Sequence, residues 1–369
     1  MPPRKKKEQE EVSVLDIVKA STGKELYSPS PIKIFIPTGV PQLDWAIGGF
    51  GWPSGRIVEL FGPPGSGKTG LALIACRSAI TMGGCAVFID GEKALDVARL
   101  PKLGFSSVDP PNFYAYCPET LEDCHSIIEG ILSNHSKLPN PIVIVWDSYV
   151  SCSPKAELEA IKKGKKETVA MSSRANSAWF RRTVLNYAIN SPVCIIIINQ
   201  LRDTIGVWSP RPGAKTTKSP GGKALSFYSS LRVETNSPAR IPATTNSQSP
   251  GIFMNCTVVK NRQGPSHRVA NFPFYEEGHG GVDGISALIH YSILKGVLPI
   301  SGNTVVYNNQ KMMKPKLWSY LYENPQELEK LKSACRDMFN GRTDKKDVIL
   351  YPTIPDEEIE ESSDEVVEE

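Results

Sequence analysis

The sequence predicts an α/β fold built around a mainly parallel β-sheet. Short apolar runs recur along the chain, and each run ends in a polar residue. Runs without alternation of apolar and polar side chains are typical of strands that helices cover on both faces. Helical stretches lie between the runs, and this alternation of strand and helix defines the fold class.

The strands and helices of this core can be assigned from the same pattern. The predicted strands are residues 56–61, 85–90, 142–147, 193–199, 231–235 and 252–260. The predicted helices between them are residues 70–81, 121–132 and 172–188. Parallel sheets of this class bind ligands beyond the carboxyl ends of their strands. The candidate site residues at these ends are Asp90, Glu92, Asp147, Asn199 and Gln200.

Changes in pattern divide the chain into four segments. These are a polar N-terminal segment at 1–33, the α/β core at 34–284, a small C-terminal helical domain at 285–350 and an acidic tail at 351–369. Helices of the C-terminal domain are expected at 286–295, 317–322 and 325–339. The tail is expected to be disordered, because a run of acidic residues buries too little apolar surface to offset the entropy of ordering it.

Two long connections interrupt the core. Residues 154–173 begin with a lysine-rich stretch, and residues 202–223 are rich in Gly, Pro, Thr and basic side chains. Connections of this length within a compact domain are usually functional or disordered. We therefore treat both as candidate functional loops.

Composition restricts the class of protein. The net charge of +3 combines a basic body with the acidic tail, so the body favours a polyanionic partner, although a merely solubilising tail explains the charges equally well. No apolar stretch approaches the roughly 20 residues needed to cross a bilayer, and the start lacks the apolar run of a secretory signal. The eight cysteines form no CxxC pairs, which predicts reduced thiols in a cytoplasmic protein.

The most specific motif lies between the first predicted strand and helix. It matches G-x-x-x-x-G-K-[ST], a loop whose backbone N–H groups and following helix terminus bind phosphate. Lys68 is expected to neutralise charge on the β- and γ-phosphates of a nucleotide, and Thr69 to bind Mg²⁺. The residues expected to hold the nucleotide are Gly62, Pro63, Pro64, Gly65, Ser66, Gly67, Lys68, Thr69 and Gly70.

Two carboxylates are expected to complete this site. Asp147 ends a buried strand and is predicted to hold Mg²⁺ through a water, although a plain strand-end cap is the alternative. Glu92 follows the second strand and is predicted to activate water against the γ-phosphate, with a solvated loop carboxylate as the less favoured alternative. The phosphate loop alone does not distinguish kinases, GTPases, helicases and transporters.

Further blocks resemble a known family. The blocks are residues 55–69, 88–96, 146–159, 198–207, 221–232 and 258–265. Over roughly residues 34–285 the chain resembles the bacterial and phage RecA recombinases. The resemblance implies a RecA-like phosphate-loop ATPase core and an N-terminal oligomerisation segment. It also implies ATP and Mg²⁺ as cofactors, filaments of many subunits on single-stranded DNA, and homologous pairing with double-stranded DNA.

The resemblance also implies roles for individual residues. Glu92 matches the catalytic base, and Gln200 matches the sensor that couples the γ-phosphate to the loop following it. Lys260 and Arg262 resemble the pair that reaches the phosphates from a neighbouring subunit, as arginine fingers do. Together with Lys68, these residues form the expected catalytic set.

The base of the nucleotide is the point where the chain departs from the family. Asp96 matches a residue that contacts adenine. Arg99 stands where many bacterial members carry a stacking tyrosine. A guanidinium also lies flat on a base, so ATP binding is still expected, whereas base selectivity is less certain.

DNA contacts are expected from the second long connection and from the helix after the first. Basic charge beside apolar groups in residues 202–223 suits unpaired strands, and the resemblance gives Ile205 a wedge role; a disordered surface loop is the alternative. The lysines of the first connection either attract DNA or form a solvated charge run. Arg174, Ser177 and Arg181 follow each other at helical spacing (i, i+3 and i+7), so they are expected to share one face of a helix. The expected DNA-binding residues are Arg174, Ser177, Arg181, Arg202, Ile205, Trp208, Gly221 and Gly222.

Two other functions compete with recombination. A hexameric DNA helicase shares the core fold but usually has a larger N-terminal domain than the short segment here. A regulatory paralogue would bind ATP and DNA without turnover, but the presence of both Lys68 and Glu92 argues against it.

Overall fold

A computed structural model describes the chain. It covers residues 13, 19–21, 32–49, 51–164, 171–183, 191–203, 217–218, 223–241, 251–276 and 280–340. The chain divides into two compact units, Met1–Ile32 and Lys33–Glu369. Of the predicted oligomerisation segment 1–33, the structure describes residues 13, 19–21, 32 and 33, so the role of this segment stays a prediction. The acidic tail at 351–369 lies outside the described residues. Within the described part, no helix is long and apolar enough to cross a membrane.

The predicted α/β class is confirmed by a large sheet with helices on both faces. The strands are β1 (Phe35–Ile36), β2 (Trp52–Pro53), β3 (Arg56–Gly62), β4 (Cys85–Asp90), β5 (Phe113–Tyr116), β6 (Ile142–Asp147), β7 (Val193–Gln200), β8 (Arg202–Asp203), β9 (Thr217–Lys218), β10 (Leu231–Arg240), β11 (Gly251–Asn261), β12 (Val269–Tyr275), β13 (Ile300–Ser301), β14 (Thr304–Tyr307) and β15 (Gln310–Met312). The large sheet has eight of them in the order β12-β11-β10-β3-β7-β6-β4-β5, and neighbouring strands are parallel except that β11 is antiparallel to both β10 and β12. The helices are α1 (Pro41–Ile47), α2 (Lys68–Thr81), α3 (Leu121–Asn134), α4 (Lys155–Lys162), α5 (Met171–Thr183), α6 (Ala224–Tyr228), α7 (Gly284–Lys295), α8 (Lys314–Glu323) and α9 (Pro325–Phe339).

The central strands are apolar because both of their faces are covered. Every residue of β6 is buried, and so is every residue of β7 except the last. Helices α1 and α2 pack on one face, and helices α3 and α5 pack on the other. Two separate apolar layers therefore hold the sheet between them.

Sheet register brings the predicted polar residues to one edge. Gly62 at the end of β3 pairs with Gln200 at the end of β7. Asp90 at the end of β4 pairs with Asp147 at the end of β6. Because β3, β7, β6 and β4 are neighbours and parallel, their carboxyl ends form one continuous rim.

The predicted loop at 154–173 is partly wrong, because residues Lys155–Lys162 form helix α4. These residues are Lys, Ala, Glu, Leu and Ile, most of them strong helix formers. The backbone N–H of Lys155 donates to Glu122 Oε2 over 2.9 Å, which docks the start of α4 against α3. High lysine content was read as a sign of a loop, although it is equally compatible with an exposed helix.

The C-terminal region contains the three predicted helices and also a small sheet that the sequence analysis missed. Strands β13, β14 and β15 form an antiparallel meander. Its turns use Gly302, Asn308 and Asn309, all at positive φ, where glycine and asparagine are tolerated best. The domain is therefore not purely helical. Its apolar centre, including Leu317 and Leu331, extends to Trp45 of α1.

Candidate active site

The phosphate loop curls at glycines that no other residue would replace without strain. Gly65 and Gly67 have φ values of +70° and +81°, in the left-handed region. A Cβ on Gly67 would lie 2.7 Å from Met254 Sδ, and one on Gly62 would lie 2.2 Å from the carbonyl oxygen of Thr235. The neighbouring strands β10 and β11 thus press directly on the loop and fix its shape.

Two side chains inside the loop hold it in place. Ser66 Oγ donates to the Pro63 carbonyl over 2.8 Å and lies 2.7 Å from Thr235 Oγ1. Lys68 is almost fully buried, and its ammonium donates to the carbonyls of Gly62 and Pro63 over 3.1 and 2.7 Å. Burial lowers the pKa of Lys68, although the nearby carboxylates oppose this shift. Anionic phosphate oxygens are stronger acceptors than these neutral carbonyls, so the ammonium is ready to turn toward a nucleotide.

A hydroxyl and a carboxylate converge at the start of α2. Thr69 Oγ1 donates to Asp147 Oδ2 over 2.6 Å. Burial raises the pKa of Asp147 to about 6, and the charge of Glu92 adds to the rise, while the bond from Thr69 opposes it. Hard oxygen donors of this kind suit Mg²⁺, and a cation here would relieve the cost of burying the carboxylate. Thr69 and Asp147 therefore fit the predicted metal.

The predicted base and the predicted sensor are joined by one hydrogen bond. Gln200 Nε2 donates to Glu92 Oε1 over 2.7 Å. Ser148 Oγ donates to the same oxygen over 2.6 Å. The N–H groups of Gly91 and Glu92 donate to the Asp147 carbonyl over 2.7 and 3.2 Å, which ties the end of β4 to the end of β6. The sequence analysis missed Ser148, although its position directly after Asp147 was a usable signal.

A cavity of about 230 Å³ adjoins the phosphate loop. Besides residues 65–70 it is lined by Arg99, Ile252, Phe274 and Glu276. Arg99 thus lines the same cavity as the phosphate loop, and its contact with a nucleotide base stays a prediction. Asp96 instead caps a short 3-10 helix, with Oδ1 accepting from the N–H of Ala98 over 2.9 Å. Glu276 was not predicted, because only folding brings the end of β12 beside α2.

Lys260 and Arg262 lie away from the phosphate loop of their own chain. Lys260 pairs with Arg232 on β10, which is level with Glu59 on β3, three residues short of Gly62. At about 3.3 Å per residue and 4.8 Å per strand, the backbone is roughly 10 Å away along the sheet and 10 Å across it. Both side chains are instead bound to the last turn of α6 by three hydrogen bonds. Lys260 donates to the carbonyls of Ser226 (2.8 Å) and Phe227 (2.9 Å), and Arg262 donates to the carbonyl of Phe227 (3.1 Å).

The expected DNA-binding residues are only partly described. Arg174 and Arg181 of α5 are exposed and Ser177 is half-buried, while Trp179 and Phe180 of the same helix are buried. Arg202 belongs to β8, which pairs with β9 through Arg202 and Lys218. The remaining predicted DNA-binding residues lie outside the described residues, and these are Ile205, Trp208, Gly221 and Gly222.

Together, the sheet and its rim define a phosphate-loop nucleotide-binding protein of the α/β class. A family described as RecA N-terminal domain matches residues 25–280. The chain is 35% identical over 300 residues to Protein RecA from Thermus aquaticus, an alignment that covers 81% of this chain and 83% of that protein. It is 33% identical over 321 residues to Protein RecA from Chlorobium chlorochromatii, covering 86% and 85% of the two chains. It is 36% identical over 307 residues to Protein RecA from Aquifex pyrophilus, covering 82% of each.

The chain therefore belongs to the RecA family of ATP-dependent recombination proteins. This membership favours recombination over the helicase considered from the sequence.

Proposed function

We propose that this protein is a DNA-dependent ATPase that forms helical filaments on single-stranded DNA and catalyses homologous pairing and strand exchange. The observation that carries the proposal is the hydrogen bond between Gln200 and Glu92. It joins the residue placed to activate water to the strand that leads into the basic connection 202–223. The absence of membrane-spanning helices from the described part and the many buried thiols agree with a cytoplasmic protein.

Nucleotide binding falls to the phosphate loop. Its N–H groups and the first turn of α2 cradle the phosphates, and Lys68 exchanges its carbonyl partners for phosphate oxygens. Thr69 would bind Mg²⁺ directly, and Asp147 would hold it through a water. The ion would supply neutralisation of phosphate charge. Arg99 contacts the base.

Hydrolysis depends on Glu92. Its Oε1 now accepts from both Gln200 and Ser148. When the Gln200 amide turns toward the γ-phosphate, an acceptor lone pair on this carboxylate becomes free for the attacking water. Ser148 keeps the carboxylate oriented during the exchange. The carboxylate then takes the proton of the water as the water oxygen attacks the γ-phosphorus, and the bond from this phosphorus to the β–γ bridging oxygen breaks to release ADP.

Coupling to DNA follows from chain connectivity. Leu201 directly follows Gln200, and its N–H donates to the Gly62 carbonyl over 3.1 Å. Strand β8 begins at the next residue, Arg202, and pairs with β9 inside the basic connection 202–223. A movement of Gln200 is therefore passed to strand β8 through one intervening residue, Leu201. Arg174 and Arg181 on the exposed face of α5 add charge for the DNA backbone.

Filament formation explains the placement of two cations. Lys260 and Arg262 do not reach the phosphate loop of their own chain, yet they are held together at one site by α6. In a filament they would meet the nucleotide of the adjacent subunit and stabilise charge in its transition state. Each active site would then need two subunits.

The test compares ATP hydrolysis with and without single-stranded DNA. We expect stimulation by DNA, displacement-loop formation with a homologous duplex, and no unwinding in a strand-displacement assay. Lys68→Ala should abolish all of these activities, while Lys137→Ala, a surface lysine far from the rim, should behave like the parent. The proposal would be refuted if single-stranded DNA did not stimulate ATP hydrolysis by the parent protein, or if Lys68→Ala kept full pairing activity.

A further inference from the structure

Two cysteine thiols are in contact beside the catalytic rim. Cys124 lies in the first turn of α3, and Cys152 lies between β6 and α4. Their sulfur atoms are 3.7 Å apart, and both residues are buried. A disulfide bond requires a sulfur separation of about 2.05 Å, so the remaining gap is within reach of small side-chain rotations.

The surroundings make Cys152 the more reactive of the two thiols. The Cys124 thiol points at Cys152, and the Ser151 hydroxyl lies 3.9 Å from the same sulfur. These hydrogen bonds, together with the charge of Lys93, lower the pKa of Cys152 despite its burial and the opposing charge of Asp123. The pKa of Cys124 is raised in turn, because it donates to its neighbour and is buried. Thiolate character of this kind is what directs oxidants to one cysteine.

Contacts connect this pair to the catalytic carboxylate. A Cβ built on Gly91 would lie 3.1 Å from Cys152 Sγ and 2.2 Å from Ser151 Oγ, so this turn packs tightly against the residue before Glu92. Ser151 Oγ donates to the Ser148 carbonyl over 2.6 Å, and Ser148 Oγ donates to Glu92 Oε1 over 2.6 Å. Residues 148–152 thus form one turn, in which Ser148 at one end holds the Glu92 carboxylate and Cys152 at the other end carries the thiol.

We propose that Cys124 and Cys152 form a disulfide bond on exposure to a peroxide, and that this bond slows ATP hydrolysis by displacing the turn that holds Glu92. The Cys152 thiolate attacks one peroxide oxygen, breaking the O–O bond to give a sulfenic acid and, after protonation of the leaving oxygen, water. Cys124 then attacks the sulfenic sulfur and expels a second water. Two thiols and one peroxide thus yield one disulfide and two waters. Drawing Cys152 toward α3 pulls residues 148–152 away from Gly91.

The loss of hydrolysis rests on the proposed ATPase function, whereas the disulfide itself does not. The full-length protein is treated with hydrogen peroxide, digested without reductant and analysed by mass spectrometry for the peptide pair that contains Cys124 and Cys152. ATP hydrolysis of the same samples is measured before oxidation, after it and after dithiothreitol. Since misplacement of a catalytic group by about 1 Å can cost ~10²-fold, we expect at least about a tenfold loss that dithiothreitol restores.

Single-cysteine variants give the controls. Cys152→Ser and Cys124→Ala should each prevent both the cross-link and the peroxide sensitivity, so one variant remains informative if the other fails to fold. Cys117→Ser, which removes the exposed cysteine, should respond to peroxide like the parent. Oxidation of Cys117 without a 124–152 cross-link would overturn the proposal, and a complete cross-link with unchanged hydrolysis would overturn its link to Glu92. A reduced protein that hydrolyses no ATP would refute the proposed function while leaving the cross-link measurable.

Discussion

A buried ion pair directly beneath the phosphate loop offers the sharpest test of the packing of this sheet. Arg232 Nε lies 2.5 Å from Glu59 Oε2, and the two side chains are 17% and 1% exposed. Asn199 Nδ2 donates to the other oxygen over 3.3 Å, and the guanidinium lies 4.5 Å from the centre of the Phe61 ring. The pair therefore bridges β10, β3 and β7, the strands that carry the loop and the sensor.

We expect Arg232→Met to lower the free energy of unfolding by about 3–5 kcal/mol, because it leaves the Glu59 carboxylate buried and unpaired. Glu59→Leu should lower the free energy of unfolding by less, since Arg232 keeps its contact with Phe61 and can turn toward water. The double variant removes both charges, so its cost is limited to the loss of the hydrogen bond from Asn199 to Glu59, about 1–3 kcal/mol. The double variant should thus be more stable than the sum of the single losses predicts.

The assay is urea unfolding followed by tryptophan fluorescence, with the slope of the transition checked in each variant. Arg182→Met is the matched control, because Arg182 and Glu129 lie 2.6 Å apart but are 64% and 31% exposed. An exposed pair of this kind contributes about 0–1 kcal/mol. The reasoning is wrong if Arg232→Met costs no more than Arg182→Met, or if the two single losses simply add in the double variant.

Three further outcomes are expected. Glu92→Gln should lower the rate of ATP hydrolysis, measured by phosphate release, by about 10²–10⁴-fold. Nucleotide affinity, measured with a fluorescent nucleotide, should stay unchanged because Glu92 does not line the cavity beside the phosphate loop. Burial lowers the pKa of His125 from 6.5, so its contribution to stability is present above that pH and is lost as the pH falls below it. Thermal unfolding should show this loss, and His125→Gln should reduce it. Gly70→Ala should lower the free energy of unfolding by about 1–3 kcal/mol, because its Cβ would lie 2.3 Å from the Phe274 ring. Gly130 lies on α3 with open space where its Cβ would be, so Gly130→Ala should raise the free energy of unfolding by about 0.5–1 kcal/mol. Urea unfolding measures both changes.

The buried part of the fold was readable from the sequence, and the sheet edges were not. Strands β4 and β6 were predicted with their observed bounds, because strands covered on both faces are apolar throughout. Strand β5 was missed because it lies at the sheet edge, where Tyr114 and Tyr116 are exposed and interrupt the apolar signal. Strand β12, at the other edge, was missed as well.

For the site, local motifs were readable and long-range contacts were not. The phosphate loop is contiguous in sequence, so its residue types alone predicted it. Glu276 enters the site through the packing of β12, which leaves no local pattern. Ser148, which donates to Glu92, directly follows Asp147 and could have been found from that position. Lys260 and Arg262 could be singled out only through the resemblance, because their proposed partner belongs to another subunit.

The fastening of Lys260 and Arg262 to α6 has a consequence for assemblies of mixed composition. Helix α6 begins directly after the basic connection 202–223 ends, so Lys260 and Arg262 are bonded to the helix that follows the segment proposed to contact DNA. If the proposed filament and the proposed role of these cations hold, a subunit altered in them keeps its own nucleotide chemistry and loses that of the next subunit along the filament. Inhibition would therefore spread in one direction only, and a minority of altered chains would divide a long filament into short independent stretches.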